Sequence, residues 1–139
     1  MGDSAPADAA GIWLAYNAAE NAVDLDGMRA LVQPRLRVLV NGRADVSSAD
    51  DDLRAMQALR RAYPDYRREV EQVLSAGEHA VIRWRMRGTP AQGSLAEPLD
   101  VSGCSVVQCS EGAIESAHVY YDAAALGAVL AAAVARQDS

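Results

Sequence analysis

Three side chains stand out as candidates to move a proton: Tyr16 near the N-terminus, and Glu115 and His118 near the C-terminus. A histidine titrates near neutrality and suits general acid–base work. A carboxylate such as Glu115 could act as an acid or base beside it. A tyrosine hydroxyl could donate a hydrogen bond to a carbonyl or enolate oxygen. Each has a structural alternative. His118 could sit on an outer face or at a dimer contact, Glu115 could be a solvated charge beside a turn, and Tyr16 could be a core tyrosine. Asp122 precedes Ala123-Ala124-Ala125 and fits the N-cap of a closing helix. His79 and His118 lack metal-ligand spacing and no Cys/His cluster accompanies them, so neither a metal nor a cofactor is expected. The sequence also lacks a glycine-rich phosphate loop and a nucleophile elbow.

The elements that must position these groups follow from periodicity. Met1 to Ala10 reads as a flexible lead-in, and residues 11–136 as one domain. Ile12, Trp13, Ala15, Tyr16 and Ala19 predict an amphipathic helix over Gly11–Asn21. Asp26 is a candidate cap for a short helix over Met28–Val32, which Pro34 should stop. Leu36–Val40 alternates as a strand, and Asn41-Gly42 is a strong turn signal. Ser47 and Ser48 offer caps, with Asp50, Asp51 and Asp52 at the positive end of the next helix. Leu53, Met56, Leu59 and Tyr63 form its apolar stripe. Four strands then follow in hairpin succession: Tyr66–Leu74, Ala80–Gly88, Leu99–Cys109 and Ile114–Tyr121. A helix over Asp122–Ala135 closes the chain.

Short connections make those four strands antiparallel neighbours. Helices on one face of such a sheet define an α+β fold, and a long twisted sheet curls into a cone with an apolar hollow. In Ala80–Gly88 one face carries Ala80, Ile82, Trp84 and Met86, while the other carries Arg83, Arg85 and Arg87. Glu69 and Glu71 are expected opposite those arginines on the outer surface. On the last strand neither parity is wholly apolar, so both faces remain open.

With 139 residues, 50% of them apolar, the chain can bury a core of its own. The formal net charge of −6 disfavours nucleic acid as a partner. All thirteen basic residues are arginine. Cys104 and Cys109 lie an odd number of residues apart on one strand, so they face opposite ways and read as buried free thiols. The polar start and the absence of a long apolar stretch point to a cytoplasmic protein without a membrane span.

Ordered along the chain are Asp24-Leu25-Asp26-Gly27-Met28, Ala62-Tyr63-Pro64-Asp65-Tyr66, Gly77-Glu78, Val81-Ile82-Arg83-Trp84 and Arg87-Gly88-Thr89. Gly103-Cys104-Ser105-Val106-Val107, Gly112-Ala113-Ile114 and Tyr120-Tyr121-Asp122 complete the set. In order and spacing the chain resembles the nuclear transport factor 2-like superfamily, and within it the SnoaL-like polyketide cyclases. The resemblance implies a cone-shaped cystatin-like α+β roll and a pocket for a flat apolar ligand. It also implies a homodimer through the open sheet face, to which Val73, Val81 and Tyr120 could contribute. In the cyclases a last-strand carboxylate acts as acid/base, and that position falls on Val119 here. Related epoxide hydrolases use a strand Arg and Asp with a last-strand Asp, which fall on Trp84, Met86 and Val119.

The implied activity is a cyclase or isomerase of bacterial secondary metabolism, of the antibiotic-biosynthesis kind, acting on a polyketide-like ligand. Tyr16, His118 and Glu115 are its candidate catalytic residues. Trp13, Met56, Tyr63, Trp84, Met86, Val119 and Tyr121 are candidates to touch the substrate. The alternatives are a ligand-binding module without chemistry, or an epoxide-opening ring closure.

Overall fold

In the computed structural model, which describes residues 8–122, a curved sheet wraps around three helices. In chain order these are α1 (Ala9–Asn21), α2 (Leu25–Ala30), β1 (Val32–Val40), β2 (Arg43–Val46) and α3 (Ala49–Ala62). β3 (Arg67–Ala76), β4 (His79–Gly88), β5 (Leu99–Ser110) and β6 (Ala113–Tyr121) follow. The six strands form one sheet in the order β2-β1-β6-β5-β4-β3. The last four are antiparallel neighbours, as their short turns require. The expected closing helix over Asp122–Ala135 lies outside the described residues, apart from Asp122.

Local chemistry explains the boundaries. The Asp8 side chain accepts from Gly11 N at 2.9 Å, so α1 begins at Ala9 and takes in the end of the expected lead-in. The cap of α2 is Asp24, not Asp26: its carboxylate accepts from Gly27 N at 2.9 Å, and the helix starts three residues earlier than expected. Ser48 Oγ accepts from Asp51 N at 3.1 Å and opens α3. Pro34 does not end a helix. It lies inside β1, between Val32 and Arg37, where no register pairing with β6 is made, so its missing N–H leaves no ladder bond unmade. Asn41 (φ 50°) and Gly42 (φ 85°) turn β1 into the short strand β2, a pairing that the sequence reading did not anticipate.

β1 lies parallel to β6, joined by a crossover through α3 and the four strands β2 to β5. α1 packs against β3 to β6, and α3 against β1 and β2. Trp84, Tyr63, Tyr66, Met28, Ile82 and Val107 are fully buried between the layers.

Two bulges set which residues face inward. Val70 pairs with Trp84 but Gln72 with Arg83, so Glu71 is the extra residue in β3. Beyond it Val73 pairs with Ile82 and turns to the core side, which removes it from the outer patch expected to hold Val73, Val81 and Tyr120. In β6, Gln108 pairs with Ser116 but Cys109 with Ile114, and Glu115 is the extra residue. The phase shifts there, so Ile114, Ala117, Val119 and Tyr121 all face inward although they do not share one parity.

On the outer face Arg87 pairs with Glu69 at 3.6 Å and Arg83 with Glu71 at 3.7 Å, as anticipated. Arg85 instead forks onto Asp100 of β5 at 2.5 and 2.7 Å. Both cysteines are free; Cys109 is buried, while Cys104 is half-exposed on the outer face.

Gly103 is a packing requirement. It pairs with Trp84 on one side and Tyr121 on the other. A Cβ there would come within 2.6 Å of Trp84 Cη2 and 2.6 Å of the Tyr120 carbonyl oxygen. The backbone oxygen cannot retreat without breaking the β5–β6 ladder. Gly103→Ala is therefore expected to lower stability by roughly 1–3 kcal/mol. Urea unfolding would check it, and an unchanged midpoint would mean that the strand pair is looser than its contacts imply.

Candidate active site

The candidate site starts from one stripe of α1. Trp13, Tyr16, Asn17 and Glu20 recur at helical spacing and point down the same face, and all four are buried. A stripe that begins aromatic and ends in a carboxylate must find polar partners inside. β3 and α3 supply them.

Arg68, at the inward phase of β3 before the bulge, reaches back to this stripe. Its Nε donates to Asn17 Oδ1 at 2.9 Å and its Nη2 to Glu20 Oε2 at 3.1 Å. Its guanidinium lies over the Trp13 ring at 4.9 Å and 5.9 Å from the centre of Trp84. Tyr66 donates to the other Glu20 oxygen, Oε1, at 2.8 Å. Burial opposes the charge of Arg68, but Glu20, Tyr66, Tyr16 and Asp52 around it reverse that effect, and the side chain is held as a cation.

α3 contributes Asp52. Of the three consecutive carboxylates at its start, Asp50 pairs with Arg29 at 2.6 Å and Asp51 with Arg54, both on the surface. Asp52 instead lies on the same helical stripe as Met56 and Leu59 and turns inward. There the Tyr16 hydroxyl donates to Asp52 Oδ2. Burial pushes the Asp52 carboxyl above the ordinary carboxylate range, against the lowering effect of the Tyr16 bond. Burial, with Glu20 and Asp52 nearby, also pushes the Tyr16 hydroxyl well up, so it stays a proton donor at neutral pH.

These groups sit at the neck of a two-lobed cavity. Val38, Asp52, Arg68 and Val119 line both lobes. The inner lobe, about 80 Å³, is walled by Trp13, Tyr16, Leu36, Val107 and Ile114. The outer lobe, about 150 Å³, is walled by Met56, Trp84, Met86 and Tyr121, with Asp45 among its lining residues. Trp84 is fixed by its Nε1 bond to Ser105 Oγ at 2.9 Å and by the tilted Tyr121 ring, 6.1 Å away centre to centre. A buried carboxyl with a raised affinity for protons, a hydroxyl donor on it and apolar walls around them can exchange a proton with a guest and steady an oxygen anion.

The sequence-derived site residues divide cleanly. Tyr16 is at the neck. Trp13 lines the inner lobe, Met56, Trp84, Met86 and Tyr121 line the outer, and Val119 lines both. His118 and Glu115 do not join them. His118 is exposed on the outer face opposite Val106, and Glu115 is the bulge residue, exposed beside Arg35 and Arg37. Neither reaches the cavity, because the β6 bulge turns both away from it. Tyr63 is fully buried, but its hydroxyl donates to Glu97 O at 2.7 Å, and it braces the 89–98 loop from outside both lobes. Asp52, Glu20 and Arg68 were missed. The available signal was a polar residue at helical spacing on an otherwise apolar stripe. Among the described residues no three His, Cys, Asp or Glu side chains cluster as a metal site, and no helix is long and apolar enough to cross a membrane.

A half-open α+β cone with a polar neck in an apolar hollow defines the chain as a nuclear transport factor 2-like fold. Residues 13–117 match the SnoaL-like domain model, and the chain belongs to that family. A candidate SnoaL-like polyketide cyclase from Jannaschia sp. CCS1 superposes with a TM-score of 0.72 at 17% identity, covering 94% of this chain and 97% of that one. A candidate polyketide cyclase from Bacillus cereus ATCC 10987 gives 0.72 at 16% identity, covering 88% and 79%. A candidate ketosteroid isomerase from Kribbella flavida DSM 17836 gives 0.63 at 17% identity, covering 81% and 76%. At these identities the likeness concerns the fold. No curated protein matches the chain by sequence.

Proposed function

We propose that this chain is a small-molecule cyclase or isomerase that works without a cofactor by moving a proton next to a carbonyl group. The observation that carries the reading is the Tyr16–Asp52 hydrogen bond at the neck of the cavity, with the carboxyl lifted by burial. In the resting site the Tyr16 hydroxyl donates to Asp52. When a carbonyl compound enters, the hydroxyl turns to its oxygen, and the Asp52 carboxylate is released to take a proton from the adjacent carbon. The C–H electron pair becomes the enolate, stabilised on oxygen by Tyr16. Returning the proton to the far carbon of a conjugated enolate completes an isomerisation; in a ring closure the enolate carbon attacks a second carbonyl, the C=O pair moves to oxygen, and that alkoxide takes the proton back from Asp52. Asp52 thus does the work that the family resemblance assigns to the last strand, where this chain has Val119. The valine also favours a second reading, a binding module without chemistry.

Hydrogen–deuterium exchange in D2O, followed by NMR on ketones and 1,3-diketones of one to four rings, separates the two. The enzyme reading expects protein-dependent exchange at the carbon beside the carbonyl in at least one compound. Tyr16→Phe should slow that exchange by about 10²–10³-fold, the scale of losing one oxyanion donor. Binding without exchange across the whole set would leave the binding module.

A further inference from the structure

We infer that the guest of this cavity is an uncharged carbonyl compound with a single ring, its ring in the Trp84 lobe and its oxygen at the neck. The carbonyl part rests on the function proposed above; the size, charge and placement rest on the cavity itself. An apolar cavity of about 150 Å³ takes up benzene, and the outer lobe measures about 150 Å³. The inner lobe, about 80 Å³, adds room for a short substituent. Both fall below the roughly 300–1,000 Å³ that larger ligands occupy. A fused polycycle would have to run through the neck between Val38, Val119, Asp52 and Arg68, displace a wall, or leave rings outside the open mouth, where they gain no burial.

The Trp84 wall resists displacement. The ring is 1% exposed, tied to Ser105, and packed on the one position, Gly103, where the strand offers no side chain. Packing of this density yields only at a cost in strain. Charge selects further. Glu20, Asp45 and Asp52 surround the outer lobe. Arg68, the cation at the neck, already donates to Glu20 and Asn17. A ligand carboxylate would meet the Glu20 and Asp52 carboxyl groups in a partly dehydrated space, with the exposed Asp45 adding like charge nearby.

The chain's two tryptophans line different lobes, so they report placement directly. The test is to titrate the full chain with cyclohexanone, with cyclohexanecarboxylate and with a neutral three-ring anthraquinone, following the two indole N–H signals by ¹H–¹⁵N NMR. Trp13→Phe removes one signal and so assigns both. The inference expects cyclohexanone to move the Trp84 signal more than that of Trp13, cyclohexanecarboxylate to bind at least tenfold more weakly, and the anthraquinone to move neither. It is overturned if cyclohexanone moves neither signal or chiefly that of Trp13, if the carboxylate binds as well, or if the anthraquinone binds as tightly as cyclohexanone. Because binding is read and not turnover, the two ideas can fail separately. Cyclohexanone at Trp84 without proton exchange would sink only the enzyme, and exchange on a polycycle would sink only the size limit.

Discussion

Asp52→Asn is expected to lower proton exchange by about 10²–10⁴-fold and, in the same protein, to raise stability at neutral pH. The first effect follows from replacing a proton acceptor by an amide of the same shape. The second follows from the sign of the shift. Burial raises the Asp52 carboxyl above its ordinary range, so the folded chain holds this proton more tightly than the unfolded chain does. That preference supports the fold below the ordinary carboxylate value and is lost as pH rises through the folded value. At pH 7–8 the wild type therefore carries a partly dehydrated charge that asparagine does not. The amide oxygen can still accept from Tyr16. A gain on the order of 1 kcal/mol, or a few degrees in Tm, is in keeping with relieving a strained functional site. The gain should shrink as pH falls toward 4. Melting curves at pH 4 and pH 8 beside the exchange assay check both halves. A variant that is inactive but less stable at pH 8 would show that the carboxylate holds the fold together. One that is active would remove Asp52 from the chemistry.

The visibility of this site in the sequence depended on which element carried each residue. Helical stripes are legible, because period 3.6 survives along α1 and α3, and Tyr16, Trp13 and Met56 were found that way. Asp52 and Glu20 lie on those same stripes, but carboxylates at the ends of helices have a simpler role as caps and dipole partners. Asp50 and Asp51 play that surface role. What sets Asp52 apart is its four- and seven-residue spacing from Met56 and Leu59.

Strands are less forgiving. A single bulge reverses the inward and outward sets beyond it, and nothing in the local composition marks Glu71 or Glu115 as the extra residue. For this reason His118 and Glu115 looked as eligible as Val119, and Val73 looked external. β4 has no bulge, and its alternation placed Trp84 and Met86 correctly. The parallel β1–β6 pairing joins segments some eighty residues apart, and it depends on the whole sheet, beyond the reach of any local window.

The second large effect is one of stability, and it bears on why the neck is rigid. Glu20→Ala should destabilise the chain by roughly 3–5 kcal/mol, because it strands the buried Arg68 cation and leaves the Tyr66 hydroxyl without its acceptor. The Arg68 and Glu20 side chains are only 14% and 6% exposed, so water cannot readily replace the lost partner. Asp100→Ala provides the internal control. It breaks the shorter, forked pair with Arg85, but one that is 38% and 47% exposed, and should change stability by less than about 1 kcal/mol. Removing both buried charges in Glu20→Leu/Arg68→Leu should recover much of the loss, since most of it comes from the uncompensated guanidinium. The recovered fold would nonetheless lack the cation that lies over Trp13 and shapes the neck, and cyclohexanone binding should suffer while stability returns. Urea unfolding of the four proteins, paired with the indole titration, separates these contributions. If Glu20→Ala were no more harmful than Asp100→Ala, the buried pair would not be what fixes the neck, and the placement of Tyr16 against Asp52 would have to come from the packing of α1 alone.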